Sequence, residues 1–190
     1  TVYILTAPIR WERKDWLNAS LVTGTVVLLS LNDEKIREVV QTRRSSITDG
    51  AADLFGNCGK LKFVLPGLGL IYLYGSINGE QKLFQAGLYG LESLFITSGL
   101  TYTIKLLGHR YRPGFGGADA WDGPGLSFDD AHLSFPSGHS AIVFSTAGII
   151  AAVYGEDNWL VPALAYGIAG LTAWSRVNDD QHWASDIFFG

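Results

Sequence analysis

Long charge-free stretches separated by short polar connections dominate this chain. Each is too long for a typical β-strand and spaces its apolar residues as a helix would, so each predicts an α-helix. The stretches are residues 16–32, 63–79, 83–107, 140–155 and 158–174, the third of them interrupted by Glu92 and Lys105. The pattern therefore predicts an all-α protein, a bundle of about five to six helices.

A polar interruption covers residues 33–62. Ile36, Val39 and Val40 predict an amphipathic helix at its start, and the Ser, Asp and Gly residues that follow predict a turn. We expect this region to be a surface element. In the next stretch, Pro66 and its neighbouring glycines are expected to bend the helix or delay its start.

Composition narrows the class of protein. The 190 residues and the 47% share of hydrophobic residues fit one domain with one core. A formal net charge of −4 provides no basic footprint for nucleic acid. Cys58 is the single cysteine, which leaves no internal disulfide framework and no cysteine-based metal site. Residues 1–15 lack the apolar run of a signal peptide.

The stretch that points most clearly to chemistry is Leu133 to Ser140, Leu-Ser-Phe-Pro-Ser-Gly-His-Ser. Pro136 ends what precedes it, Gly138 permits close approach of a ligand, and an apolar run begins at once, as where a loop enters a helix. Free backbone N–H groups and the positive end of the helix dipole favour an oxyanion at such a position. An ordinary helix cap would have the same sequence, so the flanking residues decide between the two.

Polar clusters flank this stretch on both sides. The cluster before it contributes Lys105 and Arg112, and the cluster after it contributes Arg176, His182 and Asp186. Guanidinium forks and an ammonium ion suit the spread charge of a phosphate. His182 and Asp186, four residues apart, would share a helical face, and such a pair holds one imidazole tautomer and makes the other ring nitrogen nucleophilic. The clusters thus predict a phosphate-handling site at one end of the bundle.

With these motifs the chain resembles the type 2 phosphatidic acid phosphatase superfamily, which includes lipid phosphatases, bacterial non-specific acid phosphatases, glucose-6-phosphatase and vanadium haloperoxidases. The family signatures Lys-x6-Arg-Pro, Pro-Ser-Gly-His and Ser-Arg-x5-His-x3-Asp all occur without a mismatch between Lys105 and Asp186. The resemblance implies that His182 attacks phosphorus, that Asp186 orients it, and that His139 protonates the leaving group and later activates water. It also implies phosphate-binding roles for Lys105, Arg112, Ser137, Gly138 and Arg176.

The function that this resemblance implies is metal-independent hydrolysis of a phosphomonoester or diphosphate, with a lipid phosphate favoured, through a phosphohistidine. No metal or cofactor is expected, vanadate is expected to bind as a phosphate mimic, and no nucleic-acid partner is expected. The implied location is a bacterial-type cell envelope, either membrane or periplasm. We expect one phosphatase domain over residues 1–190, with N-terminal helices in 1–62, a catalytic bundle in 63–190 and a last helix missing at the C-terminus.

The pattern leaves membrane association open. Apart from the third stretch, which contains Glu92 and Lys105, the charge-free stretches are about 16 to 18 residues long. This length is at the lower limit for crossing a bilayer. A soluble all-α bundle whose helices are buried on two sides would have similar runs. The family resemblance favours membrane association, and a soluble periplasmic acid phosphatase is the alternative.

Two other kinds of site would use the same residues. A vanadate-dependent haloperoxidase would hold vanadate in this constellation and oxidise halide, although such enzymes are usually much longer chains. A metal centre would use the acidic groups of the last cluster, but it would leave the cations without a role and place them beside a metal ion. Its ligands would be Asp179, Asp180, His182 and Asp186.

Residues 114–132 form a loop rich in Gly, Asp and aromatic residues between two of the signatures. Loops of this length inside compact domains are usually functional, so we expect a lid that selects the substrate. Trp121 and Phe128 would either face the leaving group or staple the loop to the protein. His132 is expected to be an ordinary polar residue of the loop.

Overall fold

A computed structural model of the protein describes residues 6–156 and 158–190, and within them it contains eight α-helices and no β-strand. The helices are α1 (Arg13–Ser30), α2 (Asp33–Thr42), α3 (Ser46–Gly56), α4 (Leu61–Asn78), α5 (Gln81–Gly108), α6 (Gly138–Tyr154), α7 (Leu160–Asn178) and α8 (Ala184–Phe189). The predicted all-α fold is confirmed, with more helices than expected because α3 follows α2 in the polar region and the short α8 begins within the third motif.

The turn predicted after the amphipathic helix α2 is wrong, because α3 occupies that segment. Its first turn is closed by a reciprocal pair of hydrogen bonds: the Thr48 amide donates to Ser45 Oγ at 3.3 Å, and the Ser45 amide donates to Thr48 Oγ1 at 2.8 Å. Such a capping box satisfies donors that a helix start leaves free. Ala52 and Gly56 are buried on its inner face, so α3 is also less superficial than expected.

Of the two effects expected of Pro66 in the next helix, a bend or a delayed start, the delay does not occur. Helix α4 begins at Leu61 and continues through Pro66 to Asn78. A proline near the start of a helix removes a single backbone hydrogen bond, and packing against a neighbour can outweigh that loss. That neighbour is α5, which returns antiparallel to α4 after a left-handed turn at Gly79.

Close approach of α4 and α5 depends on glycine. A Cβ at Gly75 would collide with the backbone of Phe84, and a Cβ at Gly87 would collide with the backbone of Tyr72. The apolar core beneath this hairpin contains Leu68, Leu94 and Ile142, which joins α4 and α5 to α6. Helix α6 in turn packs on α7, so the site motifs at the ends of α5, α6 and α7 are held on one rigid assembly.

Helix α2 lies against the C-terminal end of α7 and against α8, and α3 packs along α7. The segment around α2 was expected to be a surface element, but Asp33 at its first position is buried. Across residues 6–156 and 158–190, no helix combines the length and the apolar character needed to cross a membrane.

Candidate active site

A pocket of about 240 Å³ lies where α5 ends and α6 begins. Residues from all three of the sequence motifs line it, together with other residues of α4, α5 and α6. The lining residues are Gly59, Leu61, Ser98, Thr101, Tyr102, Lys105, Arg112, Asp130, Leu133, Gly138, His139, Ile142 and His182. The structure therefore gathers Lys105, Arg112, Gly138, His139 and His182 around one cavity.

Lys105 points inward from the last turn of α5. Its Nζ donates to the backbone carbonyl of Leu133, and at 3.3 Å to that of Ser134, so among the described residues two carbonyl dipoles and no carboxylate meet its charge directly. Burial, followed by the charge of Arg112, lowers the pKa of Lys105 to about 7. An anion placed in the pocket would restore the charged form.

Arg112 crosses from the loop after α5 to the third motif. Its Nη2 donates to Asp130 Oδ1 at 2.7 Å, its Nη1 donates to the Gln181 carbonyl at 2.8 Å, and the same Nη1 lies 3.3 Å from Nε2 of His182. The guanidinium is thus tied to a loop carboxylate while it touches the ring nitrogen that faces the pocket. A phosphate bound there would compete with Asp130 for this fork.

Arg176, buried on α7, lies at the back of the site rather than in its lining. Its Nη2 donates to Asp179, and its Nε lies 3.1 Å from Ser175 Oγ. A Cβ on Gly56 would come within 2.4 Å of Arg176 Nη2, so α3 approaches this guanidinium closely. The charge of Arg176 adds to burial in lowering the pKa of His139.

His182 and Asp186 form the predicted histidine–carboxylate pair, in a loose geometry. The predicted shared helical face is wrong, because His182 precedes α8, which begins at Ala184. His182 Nδ1 lies 3.5 Å from Asp186 Oδ2, longer than an ordinary hydrogen bond, and it has no closer partner among the described residues. Burial, with the charges of Lys105 and Arg112, lowers the pKa of His182 to about 3, and Asp186 opposes that shift. The ring is therefore neutral at pH 7, as attack on phosphorus requires.

Asp186 is completely buried and accepts several hydrogen bonds. Its Oδ2 accepts from Ser134 Oγ at 2.5 Å and from the Trp183 amide at 2.9 Å. Burial alone would raise the pKa of Asp186, but its interaction with His182 and the charge of Arg110 outweigh burial and hold the pKa below its usual range. The carboxylate behind His182 stays ionised.

His139 follows Gly138 in the first turn of α6, with its Nε2 buried and without a hydrogen-bond partner in the described parts of the chain. Its ring packs against Gly59, where a Cβ would come within 2.8 Å of Cδ2. Burial, followed by the charges of Arg176 and Arg112, lowers the pKa of His139 to about 4. A buried imidazole nitrogen without a partner beside cations is the arrangement expected of a group that exchanges a proton with a ligand.

Ser137 and Gly138 take different positions. Ser137 is the N-cap of α6, and its buried Oγ accepts from the Ser140 amide at 3.4 Å, while Gly138 lines the pocket. The hydroxyl of Ser137 is thus used to start the helix. The backbone N–H groups of the first turn remain the donors that this region can offer to an anion.

Sequence reasoning missed Arg110, Asp33 and Ser134, which contact or lie behind Asp186. Arg110 sits inside the first motif, and its Nη1 donates to Asp186 Oδ1 at 2.6 Å. Its Nη2 donates to Asp33 Oδ2 at 2.7 Å. The sequence signal for Asp33 was its position directly after the charge-free stretch of α1. Nothing in the spacing of residues indicated that Arg110 would be its partner.

The loop of residues 114–132 is stapled to the protein at one aromatic residue and exposed at another. Trp121 packs on Phe135 with ring centroids 5.4 Å apart, whereas Phe128 is 69% exposed. His132 Nδ1 lies 2.6 Å from Asp122 Oδ2, which places it in a contact within the loop. Asp130 is the loop residue that reaches the pocket.

The carboxylates proposed for the alternative metal centre do not converge. Each is held by a different arginine: Asp179 by Arg176, Asp180 by Arg37, and Asp186 by Arg110. Within residues 6–156 and 158–190, no group of three or more His, Cys, Asp or Glu side chains is placed to hold a metal ion.

Comparison with known proteins gives one family and a common fold. The family model of the PAP2 superfamily matches residues 86–190. A lipid A 1-phosphatase of Porphyromonas gingivalis is 37% identical over 57 residues, which are 30% of this chain and 13% of that protein. The chain thus matches only a small part of this curated relative's length.

Two solved structures share the architecture. LpxE of Aquifex aeolicus superposes with a TM-score of 0.62 at 18% identity, over 83% of this chain and 86% of that one. A transmembrane PAP2-type phosphatidylglycerolphosphate phosphatase from Bacillus subtilis superposes with a TM-score of 0.64 at 21% identity, over 89% of this chain and 86% of that one. At these identities the likeness establishes the fold.

Proposed function

The chain belongs to the PAP2 superfamily, and we propose that it is a metal-independent phosphatase that hydrolyses a lipid phosphate through a phosphohistidine. The observation that carries this proposal is the placement of His182. Its Nδ1 is turned to the buried carboxylate of Asp186, and its Nε2 is next to Arg112, which lines the pocket with His182. A neutral imidazole held in this way is an activated nucleophile.

Binding would be electrostatic. Lys105 and Arg112 line the pocket, Arg176 lies behind it, and the first turn of α6 directs N–H groups at the same space. Oriented donors of this kind stabilise the transferring phosphoryl group, and that stabilisation usually contributes more to the rate than any other effect. Because Arg112 is held by Asp130, the phosphate would have to take over part of that contact.

The reaction then proceeds in two steps. The lone pair on Nε2 of His182 attacks phosphorus, the bond from phosphorus to the leaving oxygen breaks, and His139 donates a proton to that oxygen. In the second step His139 takes a proton from water, the resulting hydroxide attacks phosphorus, and the P–N bond breaks to release phosphate. The Nδ1–H of His182 faces Asp186, and a shortening of their 3.5 Å separation during the reaction would let it donate to that carboxylate.

A lipid leaving group is supported by the walls of the pocket. Leu61, Tyr102 and Ile142 line the pocket beside the cations, so the organic part of a bound phosphate ester would have apolar groups to contact. The names of the curated relative and of one structural neighbour refer to lipid phosphates, which supports the same substrate class.

Contact with a lipid surface in a bacterial-type envelope belongs to the same proposal. Leu21 and Leu28 on α1 are 62% and 65% exposed, and Ile77 on α4 is 80% exposed. Leu21 and Leu28 lie seven residues apart, on one face of α1, and exposed apolar faces mark surfaces that contact lipid or another protein. Binding to a lipid surface would bring the enzyme to a membrane-bound phosphate ester.

The test is phosphate release from a panel of substrates in mixed micelles. The panel contains phosphatidic acid, phosphatidylglycerol phosphate, undecaprenyl diphosphate and soluble monoesters such as p-nitrophenyl phosphate. We expect turnover of at least one lipid phosphate, faster than of any soluble monoester, and inhibition by vanadate. Turnover of soluble monoesters alone would contradict the lipid assignment, and bromide oxidation with vanadate and peroxide in place of hydrolysis would contradict the phosphatase itself.

A further inference from the structure

Arg110 is buried at 1% exposure and uses all three guanidinium nitrogens. Nη1 donates to Asp186 Oδ1 at 2.6 Å and to Ser185 Oγ at 2.7 Å, and Nη2 donates to Asp33 Oδ2 at 2.7 Å. Nε and Nη2 also donate to the carbonyl of Ala118, at 3.1 and 2.6 Å. The guanidinium therefore lies between two buried carboxylates.

Aromatic rings exclude water from this guanidinium. Its central carbon lies 5.1 Å from the ring centroid of Trp121 and 5.5 Å from that of Trp183. In such a surrounding the charges interact far more strongly than they would in water. The position and charge of Arg110 are thus felt directly by Asp186.

Asp33 reaches the site from the start of α2, 152 residues before Ser185. Its Oδ1 accepts from the Ser185 amide at 2.9 Å, and its Oδ2 accepts from Ser185 Oγ as well as from Arg110. It therefore fixes both Arg110 and the first turn of α8, which carries Asp186.

The single positive charge of Arg110 is shared between two carboxylates, those of Asp33 and Asp186. Arg110 paired with Asp186 alone would neutralise the carboxylate and make it a weaker acceptor for the Nδ1–H of His182. With Asp33 on its other side, Arg110 divides its charge between two carboxylates, and the three groups together keep a net negative charge beside His182. Geometry and charge lead to the same role for Asp33.

We propose that Asp33 and Arg110 are positioning residues that hold Asp186 in place and keep it a strong acceptor for His182. The proposal rests on the proposed role of His182 as the nucleophile. Neither residue touches the pocket, and both act through Asp186.

Helix α2 supplies a matched control. One turn after Asp33, Arg37 donates from Nε and Nη2 to the two carboxylate oxygens of Asp180, both at 2.6 Å. This pair also docks α2 on the third motif, but it has no contact with Asp186. If Asp33 served only to dock α2, replacing Arg37 would have the same consequences.

The experiment compares Asp33→Asn with Arg37→Gln in the full chain. For Asp33→Asn we expect kcat on a soluble monoester to fall by roughly 10- to 100-fold, the range seen when outer partners of a ligating histidine are removed. KM and the Kd for tungstate, a phosphate mimic, should change less than about threefold, because the cations are untouched. Arg37→Gln should keep kcat within about threefold of the parent.

The second readout is the tautomer of His182, observed by NMR of ¹⁵N-histidine-labelled protein at pH 7 and assigned with His182→Ala. The parent should carry the proton on Nδ1, and Asp33→Asn should shift population toward the Nε2–H form. Should Asp33→Asn not fold, Ser185→Ala, which removes only the hydroxyl that joins Asp33 to Arg110, should produce a smaller shift in the same direction.

An unchanged tautomer in a folded Asp33→Asn protein would overturn the proposal, and so would an equal loss of kcat in Arg37→Gln. A parent that releases no phosphate from any ester would instead overturn the proposed function. The tautomer comparison needs no turnover, so the two failures remain distinguishable.

Discussion

The phosphate pocket and the charged cluster behind it are built from similar residues but differ in how far their polar atoms are satisfied. In the pocket, His139 Nε2 is buried and has no hydrogen-bond partner among the described residues, and Lys105 Nζ donates to backbone carbonyls. In the cluster of Arg110, Asp33 and Asp186, every guanidinium nitrogen and every carboxylate oxygen has a partner. One region is left for a ligand to complete, and the other is complete without one.

This difference also separates what the two regions contribute to folding. Buried groups that lack partners cost stability, and a protein retains them where function requires them. A buried ion network whose members all have partners is costly to break, because removing one member leaves a buried charge behind. Substitutions in the pocket should therefore reduce activity while sparing stability, and those in the cluster should reduce both.

The largest effect is expected for His182→Ala, which tests whether the pocket residues serve activity. We expect kcat to fall by roughly 10⁴-fold or more, with tungstate binding retained, since the nucleophile is lost and the cations remain. Rapid quenching and denaturation at alkaline pH should trap a phosphohistidine in the parent and none in the variant. His132→Ala, which removes a loop histidine bonded to Asp122, is the control and should keep full turnover. An active His182→Ala protein would disprove the covalent mechanism.

His139→Ala should have the next largest effect, and the effect should depend on the leaving group. Loss of a general acid costs roughly 10²- to 10⁴-fold for an alkyl phosphate, whose oxygen needs a proton. A p-nitrophenyl phosphate should lose much less in the first step, the transfer of the phosphoryl group to His182, because its leaving group departs without protonation. Burst-phase rates with both substrates measure this difference. Equal losses would show that His139 is not the general acid.

The acid side of the pH profile follows from the same two histidines. With pKa values of about 3 and 4 in the empty site, both are neutral at pH 7, and bound phosphate must raise the pKa of His139 before it can donate a proton. We expect a bell-shaped kcat profile with its optimum on the acid to neutral side. Its limbs are macroscopic values of the coupled pair. The His139→Ala profile should lose the alkaline limb.

Replacing the two buried cations Arg110 and Lys105 by methionine should change the free energy of unfolding in opposite directions. Arg110→Met should lower the free energy of unfolding by about 3–5 kcal/mol, because Asp33 and Asp186 are left without their counter-ion. Lys105→Met should raise it at pH 7 to 8, because Nζ is held by carbonyls and burial depresses its pKa to about 7. Denaturant unfolding of the two variants beside the parent tests this. A destabilised Lys105→Met protein would remove the distinction between the two regions.

The stability difference between Lys105→Met and the parent should depend on pH in a definite direction. Unfolding returns the pKa of Lys105 from about 7 to its ordinary value of 10.5, so the unfolded chain binds more protons between these values. Lys105 therefore makes the empty protein more stable as pH rises from about 7 to 10.5, and the gap between Lys105→Met and the parent should close over that window. Saturating tungstate should reverse the trend, since it favours charged Lys105.

The two regions also differ in how far the sequence could predict them. The pocket residues lie in motifs whose spacing is characteristic, and each motif sits at the end of a helix that the charge-free pattern predicts. The structure places Lys105, His139 and His182 around one cavity, as the motifs suggested. Their roles in catalysis stay predictions.

The cluster behind the pocket could not be predicted in the same way. Whether Asp33 is exposed or buried depends on where α2 docks, and that is decided by contacts with residues far along the chain. Local spacing carries no information of this kind. The segment of α3 was mistaken for a turn because Ser45 and Thr48 cap a helix without the usual Glu or Gln at the third position.

The smallest expected effect is that of chelation, which should leave the rate unchanged. The phosphate charge is met in this proposal by Lys105, Arg112 and Arg176, and the nearby carboxylates are each committed to an arginine rather than to a common centre. Dialysis against EDTA followed by an assay in metal-free buffer measures this, with a metal-dependent alkaline phosphatase treated in parallel to verify that chelation was effective. A loss of activity restored by one divalent ion would mean that a metal meets the phosphate charge, and the cations at the pocket would then need another explanation.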